Sequence, residues 1–339
     1  MNQRIGGGAI KNEIMNYEDR LYGKTKIDEP VILELINCPT LQRLKGIDQA
    51  GYYEPYFPGK SYTRFEHSVG VFLLLKLYNA SIEEQVAGLI HDVSHSAFSH
   101  CIDYTMDAEA EKEHSHQDNI FDDYVKKSEI PEIIKKYNLD LDFILDDKNF
   151  PLKEKDLPDL CADRIDYSLR TATMFNYINI DQRFFDDLTV KNGQWIFKNF
   201  ANAKKYAELF LTLNRDYYAG IFSAVMNKTV GDYLKHALTK GYVTEADLYT
   251  TDEVVLTKIA PHLKTDQTLN ALFERMNNKI KFKNDPTNYD ILVFCKSRVV
   301  DPLFWDGDKV KRISEAEPSW VEIIQQELKP KEYFIKFDK

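Results

Sequence analysis

Six of the eight histidines in this 339-residue chain stand between positions 67 and 116: His67, His91, His95, His100, His114 and His116. An even spread would place about one there. A lone histidine is ordinarily a satisfied polar side chain, and His236 and His262 are read that way. Six in one window require a fold that gathers them. Neutral imidazoles beside short carboxylates are ligands for Zn, Mn or Fe, and His91-Asp92 supplies both types side by side. Ser81-Ile-Glu-Glu84 is a capping box opening a helix over about 82–93, with Ile82, Val86, Leu89 and Val93 inward. Adjacent helical residues diverge by about 100°, so His91 and Asp92 reach one ion only near the helix end. His95 lies four residues after His91, the spacing of the zincin HExxH motif. The glutamate that motif needs is absent from His91-Asp-Val-Ser-His95, which disfavours a metalloprotease.

The rest of the chain supplies a helical frame. Ile32, Leu35 and Ile36, then Leu41, Leu44 and Ile47, predict two short helices separated at Cys38-Pro39. Tyr52 to Tyr62 is a loop rich in Tyr, Pro and Gly, whose tyrosines 52, 53, 56 and 62 serve core packing or base stacking. Helical spacing returns over His67 to Tyr78. A helix is predicted after Asp156-Leu-Pro158 through Leu169, with the proline near its first turn. Residues 201–240 read as central helices, and Tyr289 to Phe294 and Tyr333 to Phe337 as late strands. The fold class is mainly α with a small α+β appendage at the C-terminus. The organisation predicted is a flexible arm over 1–16, a helical catalytic domain over 17–240, and a helical and mixed α+β region over 241–339. Gly6-Gly7-Gly8 lacks the Lys-Ser/Thr ending of a phosphate loop.

Composition removes several function classes. A net charge of −10 argues against nucleic acid as a partner. The longest apolar runs, Val71 to Leu75 and Ile291 to Cys295, fall far short of the ~20 residues that span a bilayer. The first ten residues lack a signal core, and Cys38, Cys101, Cys161 and Cys295 form no CxxC pair. These features predict reduced thiols and a cytoplasmic protein.

A further metal ligand must come from elsewhere, and Asp163 in Leu160-Cys-Ala-Asp-Arg-Ile-Asp-Tyr167 is the best candidate. On a helix Asp163, Tyr167, Arg170 and Thr171 fall within about 100° of one another. Cys161 points away from that stripe, and neither it nor Cys101 reads as a ligand.

Three ordered motifs carry a family resemblance: Thr63-Arg-Phe-Glu-His-Ser-Val-Gly70, His91-Asp-Val-Ser-His-Ser-Ala-Phe-Ser-His100 and Ala162-Asp-Arg-Ile-Asp-Tyr167. Together they resemble the HD-domain phosphohydrolase superfamily. The branch most similar contains deoxynucleoside triphosphate triphosphohydrolases and their uncharacterised bacterial relatives. Leu41-Gln-Arg-Leu44, Gln49-Ala-Gly51, Val300-Asp-Pro302 and Lys311-Arg-Ile-Ser-Glu315 fit the same branch. The resemblance implies an HD-type helical core and a divalent metal (Mn, Fe, Zn or Mg) held by His67, His91, Asp92 and Asp163. It implies that His95, His100 and Asp103 orient water and phosphate; a carboxylate–histidine pair that steers a proton is expected, on chemical grounds, between Asp103 and His95. His116 matches the later histidine that protonates the leaving group, with His114 its competitor. Gln49 and Tyr167 match sugar contacts, and Arg64 and Arg164 match phosphate contacts, with Lys60, Arg43 and Arg215 as further cations. Relatives commonly assemble, so a homo-oligomer is expected.

One position departs from the pattern. The arginine-aspartate pair that follows the tyrosine in the family reads Arg170-Thr171 here. The missing carboxylate would accept a sugar hydroxyl in a charge-assisted bond worth ~1.5–3 kcal/mol, so affinity for a deoxynucleoside triphosphate falls by roughly ten- to a hundredfold. The expected function is a metal-dependent phosphohydrolase acting on a nucleotide and giving nucleoside plus triphosphate. Its rivals are a phosphomonoesterase or pyrophosphohydrolase on another phosphorylated small molecule, and a nucleotide-sensing regulator.

Overall fold

The computed structural model describes residues 14–105, 116–177 and 182–338, the side chains of 116, 118, 182 and 183 excepted. Its centre is the helix Arg64–Leu77, whose N-terminus is fixed by a reciprocal capping box. Thr63 Oγ1 accepts from the Glu66 amide at 3.2 Å, and the Glu66 carboxylate accepts from the Thr63 amide at 3.0 Å. This helix is buried on nearly every face from Phe65 to Leu75, which marks it as an interior helix. Two glycines allow the close packing. A Cβ on Gly70 would lie 2.0 Å from Arg170 Nη2 and 2.2 Å from Asp166 Oδ1, so the helix Ala162–Met174 can lie hard against it. A Cβ on Gly88 would lie 2.5 Å from Leu75 Cδ1, so the helix Ile82–Ile90 closes in from another side.

The predicted helices form with shifted ends. Pro30–Asn37 and Pro39–Arg43 each begin on their proline and meet at Cys38. The capped helix stops at Ile90, leaving His91 at its C-cap and residues 91–94 in turns. His91 and His95 therefore do not share a continuous helical face. The helix expected directly after Pro158 starts instead at Ala162, beyond an N-cap at Cys161. Residues 200–239 form two helices, Phe200–Leu213 and Ile221–Thr239, joined through a π-helical turn at Asn214–Tyr218.

Both late strands form. Ile291–Cys295 and Phe282–Asn284 flank Lys331–Phe337, antiparallel on each side. A four-stranded sheet was not legible in the pattern. It consists of Leu188–Lys191, Gln194–Phe197, Leu303–Trp305 and Val310–Arg312, each three or four residues long. Such short strands carry too little alternation to be read alone. The hairpin Met15–Asp19 with Gly23–Ile27 corrects the arm: Met15 and Asn16 belong to a strand, and residues 1–13 lie outside the described residues. The division at residue 240 is not a break in the core. One apolar cluster joins Tyr53, Phe98 and Cys101 to Val243, Leu248, Val293 and Ile335, so the C-terminal region packs directly behind the histidine loop.

Candidate metal and catalytic site

His67 comes from the central helix, His91 and Asp92 from the end of the capped helix, and Asp163 from the first turn of the helix Ala162–Met174. The three elements converge. His67 Nε2 lies 2.8 Å from Asp163 Oδ1 and 3.2 Å from His91 Nε2, and His91 Nε2 lies 3.5 Å from Asp163 Oδ1. Asp92 closes the group, with Oδ1 3.5 Å from His91 Nε2 and Oδ2 3.8 Å from His67 Nε2.

The hydrogen bonds fix what these atoms offer. His91 Nδ1 lies 2.8 Å from the Gly88 carbonyl and His67 Nδ1 lies 2.8 Å from Asp166 Oδ2. Both partners can only accept, so each Nδ1 carries a proton and each Nε2 faces inward, where it offers a lone pair to a cation once it gives up any proton of its own. Two imidazole Nε2 atoms and the carboxylates then face one another at contact distance. Only a shared proton or a cation stabilises that arrangement, and two imidazoles with two carboxylates are a suitable donor set for Zn, Mn or Fe. Burial alone would lower the His67 pKa, but hydrogen bonds to Asp163 and Asp166 outweigh it and push it up to about 9. Burial opposes the ionised Asp163 too, yet the two histidines hold its carboxyl well below the usual range.

A second layer, not anticipated from the sequence, anchors the ligands. Asp166 receives His67 through Oδ2, the Tyr22 hydroxyl at 2.8 Å through Oδ1, and Arg170 Nε at 2.7 Å. Arg170 Nη2 continues to Asp19 at 2.9 Å. Asp166, Arg170 and the His67 ring are fully buried, so this chain replaces hydration by paired charges. The four-residue spacing of Asp166 and Arg170 was the available signal. A second possible donor group, Glu154, Cys161 and Asp163, shares Asp163. Burial pushes the Cys161 thiol well up and Glu154 faces Arg164, so a thiolate ligand there is disfavoured.

The catalytic candidates from the second motif lie beside the ligands. His95 Nε2 is 3.3 Å from Asp92 Oδ1, and its ring stands 5.1 Å, edge to face, from that of His100. Asp103 lines the same cavity as His95 and His100, but its carboxylate faces His100 and not His95: its Oδ2 is 3.5 Å from His100 Nδ1. The physical reason is the turn after His91, which directs His95 back onto Asp92. Burial and the Arg64 guanidinium bring the His95 pKa down to about 3, so its imidazole is neutral at physiological pH. Phe98 and Ser99 adopt left-handed φ values of +61° and +47°, strain that Asp252 sustains by accepting the Phe98 amide at 2.7 Å. Gln117 joins this cavity and donates to the His91 carbonyl at 3.2 Å. The His116 side chain and His114 lie outside the described residues.

Two arginines expected on phosphate are engaged elsewhere. Arg64 is 1% exposed. It donates to Asp92 at 2.6 Å, Ser99 at 2.7 Å and the Gln49 carbonyl at 3.0 Å. It therefore orients the Asp92 carboxylate beside His67 and His91. Arg164 donates to the carbonyls of Asp159 and Lys155 at 2.6 and 3.1 Å, because its position one residue past Asp163 points it behind the helix. Gln49 sits against Arg64 with its Oε1 buried and unpartnered among the described residues. Tyr167 stands one turn from Asp163, both half-buried on a helix otherwise covered from Ala162 to Ala172. Thr171 is 3% exposed, with Oγ1 3.4 Å from the Tyr62 hydroxyl.

Comparisons with known proteins agree with this geometry. Residues 64–171 match the HD domain family model. The chain is 36% identical over 298 residues to the uncharacterized protein YdhJ of Bacillus subtilis, covering 87% of this chain and 90% of that one. It is 28% identical over 312 residues to the metal-dependent phosphohydrolase cns2 of Cordyceps militaris, covering 89% of each. A shorter match, 34% over 145 residues, relates 36% of this chain to 22% of the mouse deoxynucleoside triphosphate triphosphohydrolase SAMHD1. With both imidazoles, both carboxylates and their anchoring layer in place, the chain belongs to the HD-domain phosphohydrolase superfamily and is a metal-dependent phosphohydrolase of that type.

Proposed function

We propose that the substrate is a nucleotide and that the leading reaction releases triphosphate from a (deoxy)nucleoside triphosphate. The observation that carries this reading is the wall beside Asp163. There the Tyr167 ring stands 5.3 Å from that of Tyr218 and 6.4 Å from that of His67, with Tyr62 and Thr171 behind. Aromatic faces edged with hydroxyls suit a sugar and base better than a bare phosphate. The name of the mouse relative, which acts on deoxynucleoside triphosphates, supports the same choice.

In this reading His67, His91, Asp92 and Asp163 hold the divalent ion. When bound, the ion supplies positive charge against the phosphoryl oxygens and lowers the barrier to attack by water. The chain's own groups divide the remaining work. Arg64 keeps Asp92 ionised and aimed inward. Neutral His95 accepts a hydrogen bond from water or passes a proton, and His100 with Asp103 positions phosphate. His116 protonates the leaving oxygen. Tyr167 and Gln49 contact the sugar. A cytoplasmic homo-oligomer remains the expected setting, with all four cysteines buried and none in a disulfide.

Thr171 favours a second reading. Its buried hydroxyl replaces the carboxylate that would fix the sugar, and a smaller phosphorylated molecule needs no such contact. The test incubates metal-loaded protein with nucleoside triphosphates of both sugars and a phosphomonoester panel, with products resolved by ion exchange. Nucleoside plus triphosphate is the expected result. Release of monophosphate, pyrophosphate or free phosphate instead transfers the assignment to a phosphomonoesterase or pyrophosphohydrolase.

A further inference from the structure

A phosphorylated substrate needs cationic partners, and the cations nearest this site are committed to protein groups. Arg64 is bound to Asp92, and Arg164 to the carbonyls of Asp159 and Lys155. Arg43 donates to the carbonyls of Val93, His95 and Thr250, and Lys60 to that of Met174. Arg170 is held by Asp166 and Asp19, and Arg215 by Glu327. Elsewhere Arg20 meets Glu66, Arg312 meets Asp159, and Arg275 covers the Phe337 ring. Among the arginines whose side chains are described, Arg298 alone has a guanidinium with no acid, carbonyl or ring partner.

Arg298 comes from the segment that follows strand Ile291–Cys295, far from the histidine motifs in sequence. Its backbone is fixed: the Arg298 amide donates to Asn214 Oδ1 at 2.9 Å, and Asn214 Nδ2 donates to Ser297 Oγ at 2.9 Å. Asn214 is fully buried and opens the π-helical turn that ends at Tyr218, the residue whose ring packs on Tyr167. The Arg298 backbone is thereby held against the turn that carries Tyr218 to Tyr167, and its side chain, like those of Asp163 and Tyr167, is half-buried. Burial raises the Tyr167 phenol pKa, and the charges of Arg164 and Arg298 pull it back, so the Arg298 charge is felt at that ring. A half-buried guanidinium without a partner is costly unless an anion completes it, and its planar fork matches phosphate oxygens.

We propose that Arg298 binds the phosphate oxygens of the substrate, delivered by the C-terminal segment to the open side of the metal site beside Asp163 and Tyr167. The proposal rests on the phosphohydrolase assignment and is independent of whether the substrate is a nucleotide. It also gives the C-terminal region a part in the site that the histidine and aspartate motifs alone do not supply.

The probe is inorganic tripolyphosphate, titrated calorimetrically into the metal-loaded full chain as wild type, Arg298→Gln and Arg298→Lys. Melting temperature and bound metal are measured for each protein. Arg298→Gln should weaken tripolyphosphate binding by about ten- to a hundredfold. KM for the best phosphorylated substrate should rise in step, kcat less, with stability and metal content unchanged. Arg298→Lys should recover part of the loss, since it keeps the charge but not the fork. Equal binding in wild type and Arg298→Gln overturns the proposal while an active wild type leaves the phosphohydrolase assignment standing. A loss matched by lower melting temperature and lower metal content in both variants also overturns it, by making Arg298 structural. Wild-type protein that neither binds tripolyphosphate nor hydrolyses any phosphate ester overturns the proposal and the assignment together.

Discussion

On its inner side the metal site is closed by a line of ionised groups, His67 to Asp166 to Arg170 to Asp19, with Tyr22 satisfying the remaining oxygen of Asp166. On its outer side Asp163 and Tyr167 stand half-exposed, the charge of half-exposed Arg298 is felt at the Tyr167 ring, and neither the Tyr167 hydroxyl nor the Arg298 guanidinium makes a hydrogen bond among the described residues. The two sides use the same residue types for opposite purposes. Buried charge inside is tolerable only because every member is paired, so it fixes ligand geometry and resists change. Unpaired polar groups outside leave their hydrogen-bonding capacity to whatever enters.

The contrast can be broken most severely at the ligands. The double variant His91→Ala with Asp92→Ala should lose metal, measured by elemental analysis, and fall to background turnover. Retained metal-dependent activity would remove the site from this location. Next in size is Arg170→Met, which leaves Asp166 and Asp19 without their shared cation. Breaking a buried pair from one side costs about 3–5 kcal/mol, so denaturant unfolding should show a loss of that order. A change below 1 kcal/mol would mean that the inner side is not held by charge pairing.

Gly70→Ala attacks the same side by shape. Its Cβ would meet Arg170 and Asp166 at 2.0 and 2.2 Å, and overpacking of this kind costs ~1–3 kcal/mol. The effect should be read in melting temperature and metal affinity together.

Asp252 offers a pH test of the strained loop over the site. Burial pushes its pKa up to about 7, although amides of Asp48 and Phe98 donate to it. A carboxyl whose folded pKa is raised contributes stability fully present below the unfolded value of ~3.9, and that contribution is lost as pH rises through about 7. The melting-temperature advantage of wild type over Asp252→Asn should therefore shrink between mildly acidic and mildly alkaline buffer. An advantage that grows with pH would reverse the sign and refute the buried, protonated form.

The smallest stability effect belongs to the outer side. Tyr167→Phe should change unfolding free energy by less than about 0.5 kcal/mol while raising KM for the preferred nucleotide several-fold. A variant that loses stability but not substrate affinity would place Tyr167 with the inner wall.

Part of this was legible in the chain alone. The histidine window, the capping box before His91 and the motif around Asp163 pointed to His91, Asp92 and Asp163 as candidate ligands, because ligand chemistry restricts residue type and spacing, and the family resemblance added His67. The late strands Ile291–Cys295 and Lys331–Phe337 were legible from their β-branched and aromatic runs. The four-stranded sheet was not, since its strands are very short and its two hairpins are joined by one parallel pairing between segments more than 100 residues apart.

Sequence by itself determined the helical frame through local period and the imidazole–carboxylate cluster through residue chemistry, while the reaction class came from the resemblance of three ordered motifs to a known family. Only the tertiary structure decided which charges are spent and which are free. Arg64 and Arg298 are the same residue type. One is locked onto Asp92, and the other, held by Asn214 through its backbone amide, has no partner for its guanidinium among the described residues, because an ion pair depends on where two distant segments are brought together and not on what either segment contains.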